Sequence, residues 1–154
     1  MNRKVMTLAI VREGDHVLLG MKKRGFGEGR WNGFGGKVGE GESVEEAMIR
    51  ELREESGLEA LAYKKAGFIE FFFPDGSEVE VHLFRVTAYD GDLCETEEMA
   101  PRWFLYHELP YENMWPDDKH WFPLFWEEKP FRGKFWFDKD THIISQDLQE
   151  TNSL

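Results

Sequence analysis

The sequence predicts an α+β domain in which a mixed β-sheet is sandwiched between a few helices. Three observations lead there. Apolar stretches of strand length recur along the chain, one segment carries helix signals at both ends, and turn residues separate the rest into hairpins. The 154 residues fit one domain, spanning 1–154.

The elements follow in order. Val5 to Val11 and His16 to Lys22 read as two strands joined by Glu13-Gly14-Asp15. Gly25, Gly27, Gly29, Gly33, Gly35, Gly36, Gly39 and Gly41 crowd the next stretch, a density expected of tight turns and close approaches rather than regular structure. Ser43 then caps a helix, Glu46 completes its capping box, and Gly57 ends it. Lys65 to Phe73 and Val79 to Tyr89 form a hairpin around Pro74-Asp75-Gly76-Ser77, apolar on both faces as expected of covered strands. Arg102 to Tyr106 is a short strand and Pro110 to Asp118 a loop. His120 to Glu128 is a short helix with Pro123 near its start. Phe131 to Asp138 and His142 to Leu148 close the chain as a hairpin turning at Asp138-Lys139-Asp140.

Composition narrows the function. A formal net charge of −11 argues against nucleic-acid wrapping and against an anionic membrane surface, since both need a basic patch. It leaves room for a phosphate substrate bridged by divalent cations. The single cysteine, Cys94, excludes an intrachain disulfide and a cysteine metal cluster. No stretch has the length of a transmembrane helix or the pattern of a signal peptide, so a cytoplasmic location is expected. The aromatic share is 15%, and the runs Phe71-Phe72-Phe73, Trp121-Phe122 and Phe135-Trp136-Phe137 suit a core, or a pocket for a flat ring.

The helix after Ser43 carries an unusual charge pattern. At about 100° per residue, Val44, Ala47, Met48 and Leu52 share one arc, while Glu45, Glu46, Arg50 and Arg53 lie away from it. Glu51, Glu54 and Glu55 fall among the apolar residues. Three like charges at i, i+3 and i+4 on a core-facing arc repel one another and resist desolvation, and a cation removes both problems. Oxygen-only ligands suit a hard ion such as Mg²⁺ or Mn²⁺. The plainer alternative is a solvated acidic face.

Gly36, Glu42, Arg50, Glu51, Leu52, Glu54, Glu55, Gly57 and Leu58 stand at the spacing G-x5-E-x7-R-E-U-x-E-E-x-G-U, with U aliphatic. This resembles the complete Nudix box. Lys22-Lys23-Arg24-Gly25-Phe26-Gly27, Trp31-Asn32-Gly33-Phe34-Gly35-Gly36-Lys37 and Trp115-Pro116-Asp117-Asp118 are similar to the oxidised purine nucleoside triphosphatase branch, the animal relatives of bacterial MutT. The turn at Pro74 to Ser77 is one residue shorter than in such relatives, and Val79 stands where they often have Met.

The resemblance implies a Nudix fold and Mg²⁺-dependent hydrolysis of oxidised purine nucleoside triphosphates, such as 8-oxo-dGTP and 2-oxo-dATP, to monophosphate and pyrophosphate. It implies metal ligation by Glu51, Glu54, Glu55, Glu98 and the carbonyl of Gly35. Catalysis is expected of Glu55, as general base or its nearest metal-linked partner, with Glu51, and of Arg50, which by resemblance orients a neighbouring glutamate and can also pair with Glu46 or Glu54. It places Thr7, Lys22, Phe26, Asn32, Phe34, Gly35, Gly36, Lys37, Phe71, Phe73, Trp115, Pro116, Asp117 and Asp118 against the substrate. Gly35 and Gly36 are expected to bring backbone N–H groups to phosphate. The expected enzyme is a monomer acting on a free nucleotide, without nucleic-acid polymer or membrane, in the cytoplasm and by resemblance also in mitochondria or nucleus.

Asp117 and Asp118 carry the base-reading hypothesis. Two adjacent carboxylates beside Trp115 cannot both ionise in an apolar site, so one holds a proton and the pair can accept from one base edge and donate to another. An 8-oxopurine gains an N7–H donor, which such a carboxylate rewards. The alternative makes Pro116-Asp117-Asp118 a helix N-cap. Rival readings of the whole chain are a Nudix pyrophosphohydrolase for ADP-ribose, a dinucleotide or capped RNA, and a catalytically silent Nudix-like binding module. An acidic interaction domain is the third.

Overall fold

A computed structural model describes residues 3–154. Nine strands and two α-helices occur in the order β1 (Arg3–Glu13), β2 (His16–Lys22), β3 (Trp31–Asn32), β4 (Phe34–Lys37), α1 (Val44–Ser56), β5 (Glu59–Phe72), β6 (Glu78–Asp90), β7 (Met99–Leu105), α2 (Asp118–Trp126), β8 (Phe131–Phe137) and β9 (Ile143–Glu150). The sheet runs β3-β2-β1-β6-β5-β8-β9, with β4 on β1 and β7 on β2. It is mixed, since β1 runs parallel to β6 and β5 to β8.

Alternation along β1 divides the interior. Ala9 and Val11 enter one cluster with Phe34, Met48, Leu52, Phe84 and Met99, beneath α1. Ile10, with Met6 and Leu8 packed alongside, enters the other, with Ile69, Leu83, Trp121, Phe125 and Phe135, beneath α2. One sheet face therefore presents its residues to the acidic helix, and the other faces a cavity next to α2.

The ends of α1 follow the sequence. The Ser43 hydroxyl accepts from Glu46 N at 3.1 Å, and Glu46 Oε1 accepts from Ser43 N at 2.9 Å. Gly57 ends the helix at φ 82°, where a Cβ would lie 2.6 Å from the Asp92 carbonyl.

Four expectations are corrected. The glycine-rich stretch is not free of regular structure. Trp31–Asn32 and Phe34–Lys37 are strands, and β4 pairs with β1 because Gly35 has no side chain, where a Cβ would sit 1.8 Å from Thr7 O. The central hairpin is longer than expected and is not apolar on both faces. Arg3 bridges Glu70, Glu78 and Glu80 on its α1-side face, at 2.7–3.1 Å. The helix near Pro123 starts at Asp118, so that proline lies inside it. The strand expected at Arg102 begins at Met99, lengthened by pairing with β2.

Candidate active site

A cavity of about 790 Å³ lies on the α2 side of the sheet. Its lining joins two chemistries. Glu55, Lys22, Gly35 and Met99 belong to the end near α1. Asp117, Asp118, Trp115, Phe71 and Phe73 surround an aromatic chamber.

At the α1 end, Arg50 organises the carboxylates. Its guanidinium donates twice to Glu42, at 2.7 and 2.9 Å, and once to Glu51 at 2.7 Å. It reaches Glu54 at 3.3 Å and the Lys37 carbonyl at 3.1 Å. The Arg50 charge and the Gly39 N–H hold Glu42 down at about 2. Glu42 thus stays ionised and anchors the arginine, which in turn aims Glu51. The expected pairing with Glu54 is present. Pairing with Glu46 is not, since Glu46 is engaged in the cap.

Gly36 faces Glu51 so closely that a Cβ would come within 2.7 Å of its carboxyl carbon. Glu55 Oε1 accepts from Gly35 N at 2.9 Å. These two glycines therefore seat the glutamates. The Gly35 N–H is taken by Glu55, and Gly36 does not line the cavity, which corrects the expectation that both approach phosphate.

Burial, then the neighbouring charges of Glu51 and Glu98, pushes Glu55 up to about 7, against the pull of the Gly35 N–H and Lys22. Glu54 departs from the expected inward trio. It is exposed, at the rim beside Arg50. Glu98 is also at the surface, accepting from Arg24 at 2.7 and 3.1 Å.

A second acidic group, Asp138, Asp140 and His142, sits on the β8–β9 turn with its ligand atoms within 4.8 Å of one another. Asp138 Oδ1 already accepts from the backbone N–H groups of Asp140 and His142, both at 2.9 Å. That cluster closes a turn.

In the chamber, Asp117 and Asp118 are 2% and 3% exposed, yet Oδ1 of the first and Oδ2 of the second have no partner. Trp121 Nε1 donates to Asp117 Oδ2 at 2.8 Å. Burial raises Asp117 to about 6. Burial and the charge of its neighbour raise Asp118 well above the carboxylate range. Asp117 occupies the N-cap of α2 but makes no side-chain cap bond, so the capping alternative fails. The chamber walls include Trp115 and Phe26, whose rings are 5.0 Å apart, and Phe71, stacked on Phe137 at 5.5 Å.

Thr7, Lys22, Phe26, Asn32, Gly35, Lys37, Phe71 and Phe73 all line the cavity with Trp115, Asp117 and Asp118. Three expected contacts do not, Gly36 among them. Phe34 is fully buried in the α1-side core, because β4 alternation turns it away. Pro116 precedes the aspartates without facing the cavity. Sequence reading missed Arg30, Met6, Leu8, Val81 and Trp121 on the wall. The period of two in β1 contained the signal for Met6 and Leu8, and the i, i+4 spacing from Asp117 contained it for Trp121.

Comparison with known proteins agrees with this arrangement. A family model described as the NUDIX domain matches residues 1–125. The chain is 48% identical over 151 residues to the oxidized purine nucleoside triphosphate hydrolase of Mus musculus, covering 97% of each chain. It is 47% identical over 152 residues to the protein of the same name from Danio rerio, covering 98% of this chain and 97% of that one. The crystal structure of mMutator MutT protein from Bacillus halodurans superposes with a TM-score of 0.85 at 28% identity, over 95% of this chain and 97% of that one.

Proposed function

This chain belongs to the NUDIX family, and on that premise we propose that it hydrolyses oxidised purine nucleoside triphosphates to the monophosphate and pyrophosphate, sanitising the nucleotide pool. The observation that carries this reading is one cavity with a buried, partly unpartnered aspartate pair in its aromatic chamber and Glu55 at its other end.

Hydrolases of this family use divalent metal. The residues fit such an ion. Glu55 is a half-buried carboxylate beside Glu51 and Glu98 with Lys22 as its cationic neighbour, and the donor set is all oxygen. We assign Mg²⁺ as the ion and Glu51, Glu54, Glu55, Glu98 and the Gly35 carbonyl as its ligands. Glu54 and Glu98, now paired with Arg50 and Arg24 at the surface, would join the set when the ion binds. When bound, the ion neutralises triphosphate charge and lowers the pKa of water.

The chain's own groups do the rest. Glu55 takes the proton of the attacking water on Oε2, since Oε1 is held by the Gly35 N–H, and burial holds its carboxyl above the usual carboxylate range. Arg50 keeps Glu51 aimed. Lys22 and Lys37, on the cavity lining, meet phosphate or ribose oxygens.

The purine lies between the aromatic walls. Asp117 Oδ1 and Asp118 Oδ2 are free for its edge, and a pair sharing a proton both accepts and donates. A carboxylate facing N7 rewards the N7–H of an 8-oxopurine, and a well-made bidentate base contact is worth about 1–3 kcal/mol. Asn32 reads the opposite edge. The working unit is a cytoplasmic monomer taking free nucleotides. Among the described residues no helix is long and apolar enough to cross a membrane.

Pyrophosphate release with Mg²⁺ across 8-oxo-dGTP, 2-oxo-dATP, an alkylated purine triphosphate, dGTP and ADP-ribose tests the reading. Preference for the oxidised purines supports it. Equal turnover of dGTP, or preference for ADP-ribose, rejects it.

A further inference from the structure

Trp115 is the broad wall of the base chamber, and its orientation decides where a purine can stack. Arg30 lies over it, with Cζ 4.2 Å from the ring centroid. Phe26 meets the same ring tilted by 38° and Phe137 by 51°, so neither stacks flat on it. The glycine loop closes beneath the indole. Gly27, at φ 87°, would place a Cβ 3.4 Å from Trp115 Cζ2.

Arg30 is itself tethered at a strained point. Its Nη2 donates to Thr141 Oγ1 at 3.0 Å. Thr141 sits on the β8–β9 turn at φ 62°, a region that β-branched residues rarely adopt. Arg30 Nη1 is buried in the cavity wall without a partner. One side chain thus links the glycine loop, the Trp115 segment and the last hairpin around the chamber.

Charge points the same way. The ionisable groups that line the cavity around the chamber are Asp117 and Asp118 at the start of α2, Lys4 on β1, Asp75 and Glu78 on the central hairpin, and Asp138 and Lys139 on the β8–β9 turn, and Tyr111 carries the charge influence of Asp118 from the preceding turn. Arg30 is the cation that draws the proton affinity of both aspartates down, against their burial.

We propose that Arg30 is a positioning residue for base recognition: its guanidinium clamps the plane of Trp115 and supplies the fixed positive charge beside the Asp117–Asp118 pair. This rests on the base-pocket reading above. A purine stacks on the indole face that Arg30 leaves open, and the aspartates meet its edge with a proton affinity that burial raises and Arg30 lowers. A plain tether of the β8–β9 turn would do neither.

The test is calorimetric binding of 8-oxo-dGMP and dGMP without metal, from pH 5 to 9, because the monophosphate needs only the chamber. Arg30→Met keeps the stem and removes the charge. It should weaken 8-oxo-dGMP binding about tenfold, at the upper end for a desolvated cation–π contact, and move the alkaline limb of the binding profile to higher pH. Arg30→Lys should return the limb to its original pH without restoring full affinity, since an ammonium is not a planar stacking group. Thr141→Val, which removes the tether bond alone, should leave the limb in place.

An unmoved limb in Arg30→Met, whatever affinity is lost, reduces Arg30 to a turn tether and overturns the inference. If Arg30→Met does not fold, Arg30→Lys decides: wild-type affinity there overturns the clamp. Wild-type protein that binds dGMP as well as 8-oxo-dGMP removes the base-pocket reading and this inference together. Normal discrimination in wild type, with full 8-oxo-dGMP affinity and an unmoved limb in Arg30→Met, removes the inference alone.

Discussion

Glu55 and the two aspartates show how burial sets chemistry one residue at a time. Each is a carboxylate short of compensating charge, and each holds its proton to higher pH than in water. Replacing Glu55 with Gln should lower kcat by at least about 10²–10⁴, while metal-free 8-oxo-dGMP binding stays intact. Unchanged kcat would remove Glu55 from the reaction. For Asp117 the folded value of about 6 lies above the ordinary 3.8. The folded state then binds more protons than the unfolded one across that window, so stability falls as pH rises from about 4 to about 6, and the penalty persists above. Asp117→Asn removes the buried charge that the pair acquires above about pH 6. At pH 8 it should raise Tm by several degrees, at about 2–4 °C per kcal/mol for a domain of this size, with the gain fading below about pH 6. It should also change the preference between 8-oxo-dGTP and 2-oxo-dATP. Thermal melts across pH and turnover of the two substrates check both outcomes. An unchanged preference in this variant and in Asp118→Asn would dismiss the shared proton.

Among the elements, α1 was the most legible, because its instructions are local. Ser43, Glu46 and Gly57 act within a few residues of themselves, and each does in the fold what its position announced. Ser43→Ala should cost about 1 kcal/mol in denaturant unfolding and leave KM unchanged. Gly36→Ala should behave differently. The added methyl meets Glu51 at about 2.7 Å, so kcat should fall while the helix stays folded by circular dichroism. Retained kcat would show that Glu51 has room to move. The glycine-rich stretch before α1 was misread for a matching reason. Its strand character comes from pairing with β1, which lies far off in sequence, and local composition reports only on flexibility. Alternation in β4 likewise turned Phe34 inward, a direction set by which face α1 covers.

For the molecule as a whole, the sheet separates two polar problems and the cavity joins them. Glu55 stands at one end, only partly compensated by the Gly35 N–H and Lys22, and the partly unpartnered aspartates stand among aromatics at the other. Adding Mg²⁺ should therefore raise Tm at neutral pH, by RT ln(1 + [L]/Kd), or about 2.7 kcal/mol at 100 times Kd, and chelation should reverse the shift. A melt indifferent to the ion would argue against the carboxylate cluster as its site. The sequence by itself determined the acidic helix, its caps, the box spacing and hence the family, together with the aromatic and acidic motif at Trp115 to Asp118. Those features are contiguous or periodic, and short-range geometry enforces them. Only the tertiary structure decided that Glu54 and Glu98 stand at the rim, that the two glycines seat glutamates, and that Arg30 lies over Trp115 with Thr141 behind it. Each of these depends on which distant segment packs opposite, and such contacts come from sheet pairing and burial across the whole chain, where neighbouring residues carry no record of them.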